Sequence, residues 1–178
     1  MKFLPTSLPG VWLIEMDLRT DARGFFSRTY CEKEFAAHGL NTRWPQGNLT
    51  RTSQRGMIRG LHYQAEPKPE MKLVRCSAGT ICDVVVDIRA GSPTYGRSEK
   101  FELTGDNGRQ LYIPAGFAHG FQCLSETCDV VYQMSEFYHP ELARGIRWDD
   151  RIAAVEWPLP NPILSERDQN LPPLPPVP

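Results

Sequence analysis

Two short segments hold most of the side chains that could do chemistry. The first reads R-G-L-H-Y-Q over residues 59–64 and supplies Arg59 and His62, and Lys72 follows it. The second covers residues 114–119 and ends in His119. A neutral histidine, with a pKa of about 6.5, accepts protons near neutral pH, and a lysine ammonium stabilises negative charge. These residue types predict a site for an anion or a developing oxyanion.

The second segment, P-A-G-F-A-H, has the P-x-G-x-x-H form of a turn that runs into a strand. This form resembles one of the two signature motifs of the cupin barrels, in which the histidine points into the barrel. The partner motif of cupins carries two histidines one residue apart and a later glutamate, which bind a metal together with the histidine of the second motif. Here Gln64 stands at the second histidine position and Lys72 in the glutamate region. Because an ammonium has no lone pair to give to a metal, the sequence predicts neither a metal nor another cofactor.

The elements that must position these side chains are mostly strands. Short alternating or β-branched runs, separated by Gly, Pro, Asn and Asp, predict strands over residues 11–18, 57–64, 73–76, 81–88, 110–113 and 130–134. One brief helix is predicted over 32–38. Many strands with few helices predict an all-β sandwich or barrel, of which the jelly roll is one form. The length of 178 residues fits one domain, 1–178, with a loop-like segment at 140–157 and a proline-rich tail at 171–178 that predicts polyproline II or disorder.

Side-chain alternation predicts which residues face the interior. It places three candidate residues on apolar strand faces: Tyr132, Lys72 and His119. A lysine on an apolar face is costly unless it has a partner, so Lys72 is either functional or misplaced by strict alternation. The same rule puts Arg59 and His62 on opposite faces, unless Gly60 marks a bulge that redirects one of them.

Composition argues against several classes of partner. The 20 basic and 21 acidic residues give a net charge of −1, which provides no electrostatic footprint for nucleic acid and no basic block for a membrane surface. No apolar stretch approaches the roughly 20 residues of a membrane span, and the first ten residues lack the apolar core of a signal peptide. The five cysteines form no C-x-x-C pair and no zinc spacing, which is typical of reduced thiols in a cytoplasmic protein.

Eight segments form an ordered pattern along nearly the whole chain. They are D-A-R-G-F-F (21–26), Q-G-N (46–48), I-R-G-L-H-Y-Q (58–64), K-L-V-R-C (72–76), D-V-V-V-D-I-R-A-G-S-P-T-Y-G (83–96), I-P-A-G-F-A-H-G-F (113–121), G-I-R-W-D-D (145–150) and L-S-E-R-D (164–168). This pattern resembles the dTDP-4-dehydrorhamnose 3,5-epimerase family. The resemblance implies a metal-free, cupin-like jelly roll that forms a homodimer by exchanging N-terminal strands. It also implies epimerisation of dTDP-4-dehydro-6-deoxyglucose to dTDP-4-dehydrorhamnose at C3 and C5, through an enolate, in deoxysugar biosynthesis.

The resemblance further implies roles for single residues. His62 would be the general base, oriented by the carboxylate of Asp168, and Tyr132 would be the acid on the opposite face of the sugar. Lys72 would stabilise the enolate oxygen, steadied by Asp83. The nucleotide diphosphate and sugar would be held by Arg23, Gln46, Asn48, Arg59, His119, Phe121 and Tyr138. Taken alone, Asp168 lies in a polar C-terminal stretch that predicts exposure to solvent.

Two positions depart from the family pattern. Arg28 and Arg144 stand where the family commonly has glutamates that are associated with substrate contact. Two changes from acid to base within one expected site put the identity of the substrate in doubt. Epimerisation at C3 alone, or of another sugar nucleotide, therefore stays open. A non-catalytic cupin that binds a sugar nucleotide and a metal-dependent cupin oxygenase are alternatives of other classes.

Overall fold

The computed structural model describes residues 1–176, and two antiparallel sheets dominate this part of the chain. The first sheet has six strands, in the spatial order β1 (Lys2–Pro5), β2 (Trp12–Glu15), β10 (Arg109–Ile113), β7 (Lys72–Ala78), β12 (Cys128–Met134) and β5 (Gln46–Thr52). The second has five, in the order β13 (Ala143–Gly145), β6 (Ile58–Gln64), β11 (Phe117–Cys123), β8 (Thr80–Asp87) and β9 (Ser98–Thr104). A separate hairpin pairs β3 (Arg19–Asp21) with β4 (Gly24–Phe26).

Helical structure is sparse in residues 1–176. It comprises α1 (Glu32–Ala37), α2 (Glu166–Gln169) and a 3₁₀ turn at Pro140–Leu142. The helix predicted over 32–38 is confirmed as α1. No helix of the described chain has the length and apolar character needed to cross a membrane.

The two sheets face each other and share one core. Val74 and Leu111 of the first sheet pack in the same cluster as Val85 and Phe117 of the second, and all four are almost inaccessible to solvent. Burying such side chains between two sheets is the main stabilising contribution in a β-sandwich. The prediction of an all-β fold is therefore confirmed, and the predicted strands at 57–64, 73–76, 81–88, 110–113 and 130–134 all lie within or overlap strands of these sheets.

The C-terminal part of the chain covers the outer face of the second sheet. Ile146, Ala153 and Leu174 pack in a second cluster with Val84 and Val86 of β8. β8 is therefore buried on both faces, which explains its continuous apolar sequence. This covering layer also returns residues 164–168 to the neighbourhood of β6.

Sequence patterning missed two long strands, β5 and β9. Each lies at the edge of its sheet, and their sequences, Q-G-N-L-T-R-T and S-E-K-F-E-L-T, are mostly polar. Edge strands have one partner and much solvent contact, so their composition lacks the apolar signal of central strands. The strand predicted over 11–18 is shorter than expected, because the chain leaves the sheet after Glu15 and enters the β3–β4 hairpin.

Two segments are more ordered than the sequence predicted. The segment 140–157 contains the 3₁₀ turn and β13, which pairs with β6. The sequence predicted polyproline II or disorder for the tail, and residues 171–175 pack against the rest of the protein without forming a helix or strand: Leu174 is buried, and the Tyr95 hydroxyl donates a hydrogen bond of 2.7 Å to the Pro175 carbonyl. Proline limits the chain to extended conformations but leaves its carbonyl free to accept such bonds. Val177 and Pro178, the end of the predicted tail, lie outside the described residues.

Asp150 ties the covering layer together. Its carboxylate accepts hydrogen bonds from the backbone N–H groups of Ile152 at 2.8 Å, Ala153 at 2.9 Å and Leu174 at 2.8 Å. Asp150 is itself buried. One side chain therefore satisfies three backbone donors that come from two separate stretches of chain.

Replacing Asp150 with alanine should lower the free energy of unfolding by at least about 2 kcal/mol, since each buried donor left unpaired costs about 1–3 kcal/mol. Urea unfolding followed by circular dichroism measures this. Asp149→Ala is the matched control, because Asp149 forms only a surface pair with Arg147, at 2.6 Å, and should change stability by less than about 1 kcal/mol. Equal losses in the two variants would contradict the assigned role of Asp150.

Candidate active site

A cavity of about 350 Å³ opens between the two sheets. Strands of both sheets, α2 and the loop after β12 contribute its lining. Nine of the residues singled out from the sequence lie in this lining: Arg59, His62, Lys72, His119, Phe121, Tyr132, Tyr138, Arg144 and Asp168. The fold therefore gathers side chains from distant parts of the chain around one cavity.

His62 and Asp168 form a direct pair at this cavity. The Nε2–H of His62 donates a hydrogen bond of 2.7 Å to Oδ1 of Asp168, and the backbone N–H of Gly60 donates one of 3.2 Å to Oδ2. Asp168 is only 4% exposed, so the expectation of solvent exposure for this residue is wrong. Its neighbours in sequence are polar, but α2 turns the aspartate alone towards β6, and Ser165 caps the helix by accepting from the Asp168 N–H.

The pair also fixes the charge of Asp168 and the tautomer of His62. Burial by itself raises the pKa of Asp168, but the hydrogen bond and charge of His62, with the Gly60 N–H, outweigh it and lower the pKa below its ordinary value. Asp168 is therefore a carboxylate at neutral pH. Because Nε2 carries the proton of the hydrogen bond, Nδ1 of a neutral His62 keeps a lone pair for a substrate proton.

A bulge in β6 brings Arg59 and His62 to the same cavity. His119 of β11 pairs with His62, but Phe121 pairs with Arg59, so the register shifts between them. Gly60 and Leu61 lie between the two paired residues of β6, whereas Gly120 alone lies between those of β11. The bulge predicted at Gly60 is confirmed, and it explains why strict alternation fails here.

Glycines permit the close approach of β6 and β11 at the bulge. A Cβ atom on Gly60 would lie 2.6 Å from Cα of Gly120, and a Cβ on Gly120 would lie 2.6 Å from the carbonyl oxygen of Arg59. Gly60 also has a φ of 128°, which non-glycine residues rarely adopt. The geometry that presents His62 therefore depends on the absence of side chains at both positions.

Lys72 has a partner that the sequence analysis missed. Its ammonium donates a hydrogen bond to Oε1 of Glu70, and the two residues are 9% and 8% exposed. Glu70 lines the cavity and lies two positions before Lys72. Because residues two apart in an extended chain point to the same side, this spacing could have predicted that the two side chains meet. The predicted inward orientation of Lys72 is thus explained by a buried ion pair.

His119 is paired with Asp83. Its Nε2–H lies 3.0 and 2.9 Å from the two carboxylate oxygens of Asp83, which is completely buried. Burial raises the pKa of Asp83, and the charges of His119 and Lys72 offset part of that effect. Asp83 lies behind His119 and outside the cavity lining, so it orients the imidazole that lines the cavity.

Tyr132 reaches the cavity from the first sheet, whereas His62 belongs to the second. Tyr132 lies between Val74 and Asn48 on the neighbouring strands. Burial raises its pKa, and the negative charge of Glu70 adds to that shift, while the Thr50 hydroxyl and Arg59 oppose it. The phenol is therefore protonated at neutral pH, opposite a histidine that can accept a proton.

Gln46 and Asn48 lie beside the cavity rather than in its lining. They contact each other at 3.2 Å, both lie within 3.5 Å of the Met134 sulfur, and Gln46 accepts a hydrogen bond of 2.9 Å from the Tyr138 N–H. Met134 and Tyr138 do line the cavity. The two amides therefore form part of its rim.

Arg23 and Arg28 are not brought to the cavity within one chain. Arg23 sits on the β3–β4 hairpin with its side chain 89% exposed and binds Asp21 at 2.5 Å. Arg28 follows the hairpin and binds Glu34 at 3.2 Å. No residue of the hairpin lines the cavity that holds His62.

The α2 region and the amide of Gln64 also contribute to the cavity. Arg167 and Ser165 line it, although the motif L-S-E-R-D had indicated only Asp168. The amide of Gln64, at the second cupin histidine position, donates to the carbonyls of Lys68 at 2.6 Å and Phe137 at 3.0 Å, so it joins two loops. Residues 1–176 contain no group of three histidine, cysteine, aspartate or glutamate side chains arranged to hold a metal.

The facing sheets, the cavity between them and the structural relatives define a cupin-like jelly roll. A family described as dTDP-4-dehydrorhamnose 3,5-epimerase matches residues 5–175. The enzyme of that name from Methanothermobacter thermautotrophicus is 47% identical over 176 residues, covering 97% of this chain and 94% of the relative. The chain belongs to the dTDP-4-dehydrorhamnose 3,5-epimerase family.

Two other relatives bear on the site. The crystal structure of dTDP-4-dehydrorhamnose 3,5-epimerase from Bacillus anthracis, with TDP and PPi bound, has a TM-score of 0.94 and 39% identity, and the match covers 97% of this chain and 99% of that one. A dTDP-4-dehydrorhamnose 3-epimerase from Streptomyces niveus is 39% identical, covering 96% of this chain and 82% of the relative. Relatives with these two activities are thus similarly close to this chain.

Replacing Gly60 with alanine should destabilise the fold by about 1–3 kcal/mol more than the matched variant Gly24→Ala, because only Gly60 faces a packed strand. Gly24 has a similar φ of 122°, but a Cβ there would have no neighbour within 4 Å. Both variants therefore carry the cost of the backbone conformation, and the difference isolates the close strand contact. Thermal unfolding measures it, and equal stability losses would show that the approach of β6 and β11 tolerates a methyl group.

Proposed function

We propose that this chain epimerises a dTDP-4-keto-6-deoxyhexose at C3 and C5, converting dTDP-4-dehydro-6-deoxyglucose to dTDP-4-dehydrorhamnose in rhamnose-type deoxysugar synthesis. The observation that carries the proposal is the His62–Asp168 pair facing Tyr132 across one cavity. A base and an acid on opposite sheets suit a reaction that removes a proton from one face of a carbon and returns it to the other. The family to which the chain belongs supports the choice of substrate.

The proposed reaction follows from the acidity of carbons next to a ketone. Nδ1 of His62 takes a proton from C3 or C5, and the C–H electron pair forms the double bond of an enolate whose charge resides on the C4 oxygen. Lys72 stabilises the negative charge that develops on that oxygen in a partly desolvated cavity. Tyr132 gives its phenolic proton to the opposite face of the carbon, which restores the ketone and inverts the centre.

Asp168 makes this cycle possible by staying ionised. Its carboxylate holds the His62 tautomer that leaves Nδ1 free, and it stabilises the imidazolium that forms when Nδ1 is protonated. The cycle closes when the imidazolium releases its proton to solvent and Tyr132 regains one. Solvent protons therefore enter the product at each inverted carbon.

The cations of the cavity suit the nucleotide diphosphate. Arg59, Arg144 and Arg167 present guanidinium groups, which bind phosphate oxygens through paired hydrogen bonds. His119, held by Asp83, lines the same cavity. Phe121 and Tyr138 provide ring surfaces against which the sugar or the base packs.

We also propose that the active form is a homodimer in which N-terminal strands are exchanged. Within one chain, the β3–β4 hairpin exposes Phe25 and Phe26, the latter to 70%, together with Arg23. Aromatic side chains with so much exposure are unusual unless a partner covers them. In the dimer, Arg23 and Arg28 of one protomer approach the cavity of the other.

Epimerisation at C3 alone is the second candidate function, because a 3-epimerase is among the close relatives. It needs the same base, acid and enolate, and differs only in whether C5 is also presented to His62. Cytoplasmic location stays a prediction, supported by five cysteines that are free thiols.

Incubating the enzyme with dTDP-4-dehydro-6-deoxyglucose in deuterated water should place deuterium at C3 and C5 of the product. His62→Ala should lower the rate of exchange by at least about 100-fold at both carbons, which is the usual effect of losing a general base. His38→Ala is the matched control, since His38 stacks on Phe3 and neither residue lines the cavity. Nuclear magnetic resonance measures the exchange.

The pattern of exchange separates the candidates. Deuterium at C3 alone supports the 3-epimerase, and no exchange by the wild-type protein contradicts both functions. Normal epimerisation by His62→Ala would show that another residue is the base.

Mixed dimers can test which protomer supplies Arg23 to each cavity. Arg23→Ala should raise KM about 10-fold or more, since a hydrogen bond to a charged group contributes about 1.5–3 kcal/mol. A purified heterodimer of Arg23→Ala with His62→Ala should regain a wild-type KM, because one of its cavities combines His62 of one protomer with Arg23 of the other. If the heterodimer shows no such recovery, Arg23 serves the cavity of its own chain or none.

A further inference from the structure

Glu70 is a buried carboxylate in the cavity lining that the proposed reaction does not use. One oxygen, Oε1, accepts a hydrogen bond from the Lys72 ammonium. The other, Oε2, is buried and has no hydrogen-bond partner within residues 1–176. Most buried polar atoms in native proteins have partners, so an exception calls for an explanation, of which a catalytic role is one.

Stability alone does not account for the Glu70–Lys72 pair. Removing two charges from water costs free energy that their attraction often fails to recover, and apolar residues of similar volume serve a core at least as well. The unpaired Oε2 adds to that cost. A pair that is unfavourable for folding and lies in a catalytic cavity points to a role in the reaction.

The backbone holds Glu70 and Lys72 firmly in place. Met71, which separates them, donates its N–H to the Ser135 hydroxyl at 2.8 Å and accepts a hydrogen bond of 3.0 Å from the Ser135 N–H. Lys72 itself pairs with Met134 of β12 and Ile113 of β10. Glu70 is therefore a fixed anchor for the end of a long and flexible side chain.

We propose that Glu70 is a positioning residue that holds the Lys72 ammonium at one point of the cavity, so that the two remaining N–H donors are directed at the C4 oxygen of the sugar. An ammonium has three donors, and Glu70 occupies one of them. A free lysine would spread over several rotamers and would stabilise the enolate oxygen only part of the time. The inference rests on the proposed function, because it assigns Glu70 a task in that reaction.

The charge of Glu70 also acts on Tyr132. It adds to the burial that raises the pKa of the phenol, and Arg59 opposes it. The other titratable or charged groups that line the cavity with Tyr132 are His62, Tyr63, Lys72, His119, Tyr138, Arg144, Arg167 and Asp168. Without the charge of Glu70, the Tyr132 pKa falls, and the acid loses its proton at a lower pH.

The test compares Glu70→Gln and Glu70→Ala with wild type in the epimerisation assay. Glu70→Gln keeps the size of the side chain and an oxygen for Lys72, but it removes the charge. We expect kcat to fall about 10-fold in Glu70→Gln and about 100-fold in Glu70→Ala. The larger loss is what misplacing a catalytic group by about 1 Å costs. KM and the Kd of dTDP should change less than about 3-fold, because Glu70 acts on the sugar end.

The pH profile separates positioning from mere support of the fold. In both variants the alkaline limb of kcat/KM should move to lower pH, since Tyr132 loses a negative neighbour. Glu66→Gln is the matched control: Glu66 is an exposed glutamate of the loop that precedes Glu70, and its replacement should leave kcat and the pH profile unchanged. Thermal unfolding of each variant verifies that it is folded.

Three results would overturn the inference. The first is an unchanged kcat in folded Glu70→Gln and Glu70→Ala, and the second is a fall in kcat that follows lost stability while the alkaline limb stays in place. The third is a loss of dTDP binding as large as the loss of kcat. If the wild-type protein shows no turnover, the proposed function is contradicted and the inference with it. If wild type turns over and the two Glu70 variants have the same kcat and pH profile, the inference alone is contradicted.

Discussion

The hydrogen bond between His62 and Asp168 is the interaction on which the rest of the site depends. It joins residues 106 positions apart, one in a central strand and one in a four-residue helix near the C-terminus. For this bond to form, the chain after β13 must cross the outer face of the second sheet and return to β6. The burial of Leu174 and the hydrogen bonds of Asp150 are therefore requirements of the catalytic geometry as well as of stability.

The same logic of pairing extends across the cavity. Three carboxylates each hold one ionisable donor: Asp168 holds His62, Asp83 holds His119, and Glu70 holds Lys72. Each acid is buried, and each of the three donors lines the cavity. A buried acid in this arrangement fixes the position of the donor that it accepts from. Within residues 1–176, the guanidinium groups of the lining form no ion pair with a carboxylate, which leaves them available to an anionic ligand.

Much of the fold and part of the site could be predicted from the sequence. Apolar alternation predicts the central strands, and its period of two predicted that Tyr132, Lys72 and His119 lie on inward strand faces. The polar edge strands β5 and β9 carry no such signal, because half of each strand faces solvent. Asp168 looked exposed for the same local reason: its burial comes from a helix that contacts a strand more than one hundred residues earlier, and no neighbouring residue reveals that contact.

The two basic departures from the family pattern have different physical consequences. The charge of Arg28 is already paired with Glu34 outside the cavity, and Glu34 also binds the N-terminal ammonium, so this arginine adds little free positive charge to its own chain. Arg144 lines the cavity, and within the described part of the chain its guanidinium donates to two backbone carbonyls, those of Glu141 and Ala143, at 2.8 and 3.1 Å. Carbonyl oxygens do not neutralise a charge, so Arg144 makes the cavity more positive than a glutamate there would. An arginine donates hydrogen bonds to phosphate oxygens, where a carboxylate would accept hydrogen bonds from sugar hydroxyls. Of the two departures, Arg144 is therefore the one that changes which part of a sugar nucleotide this side of the cavity can hold.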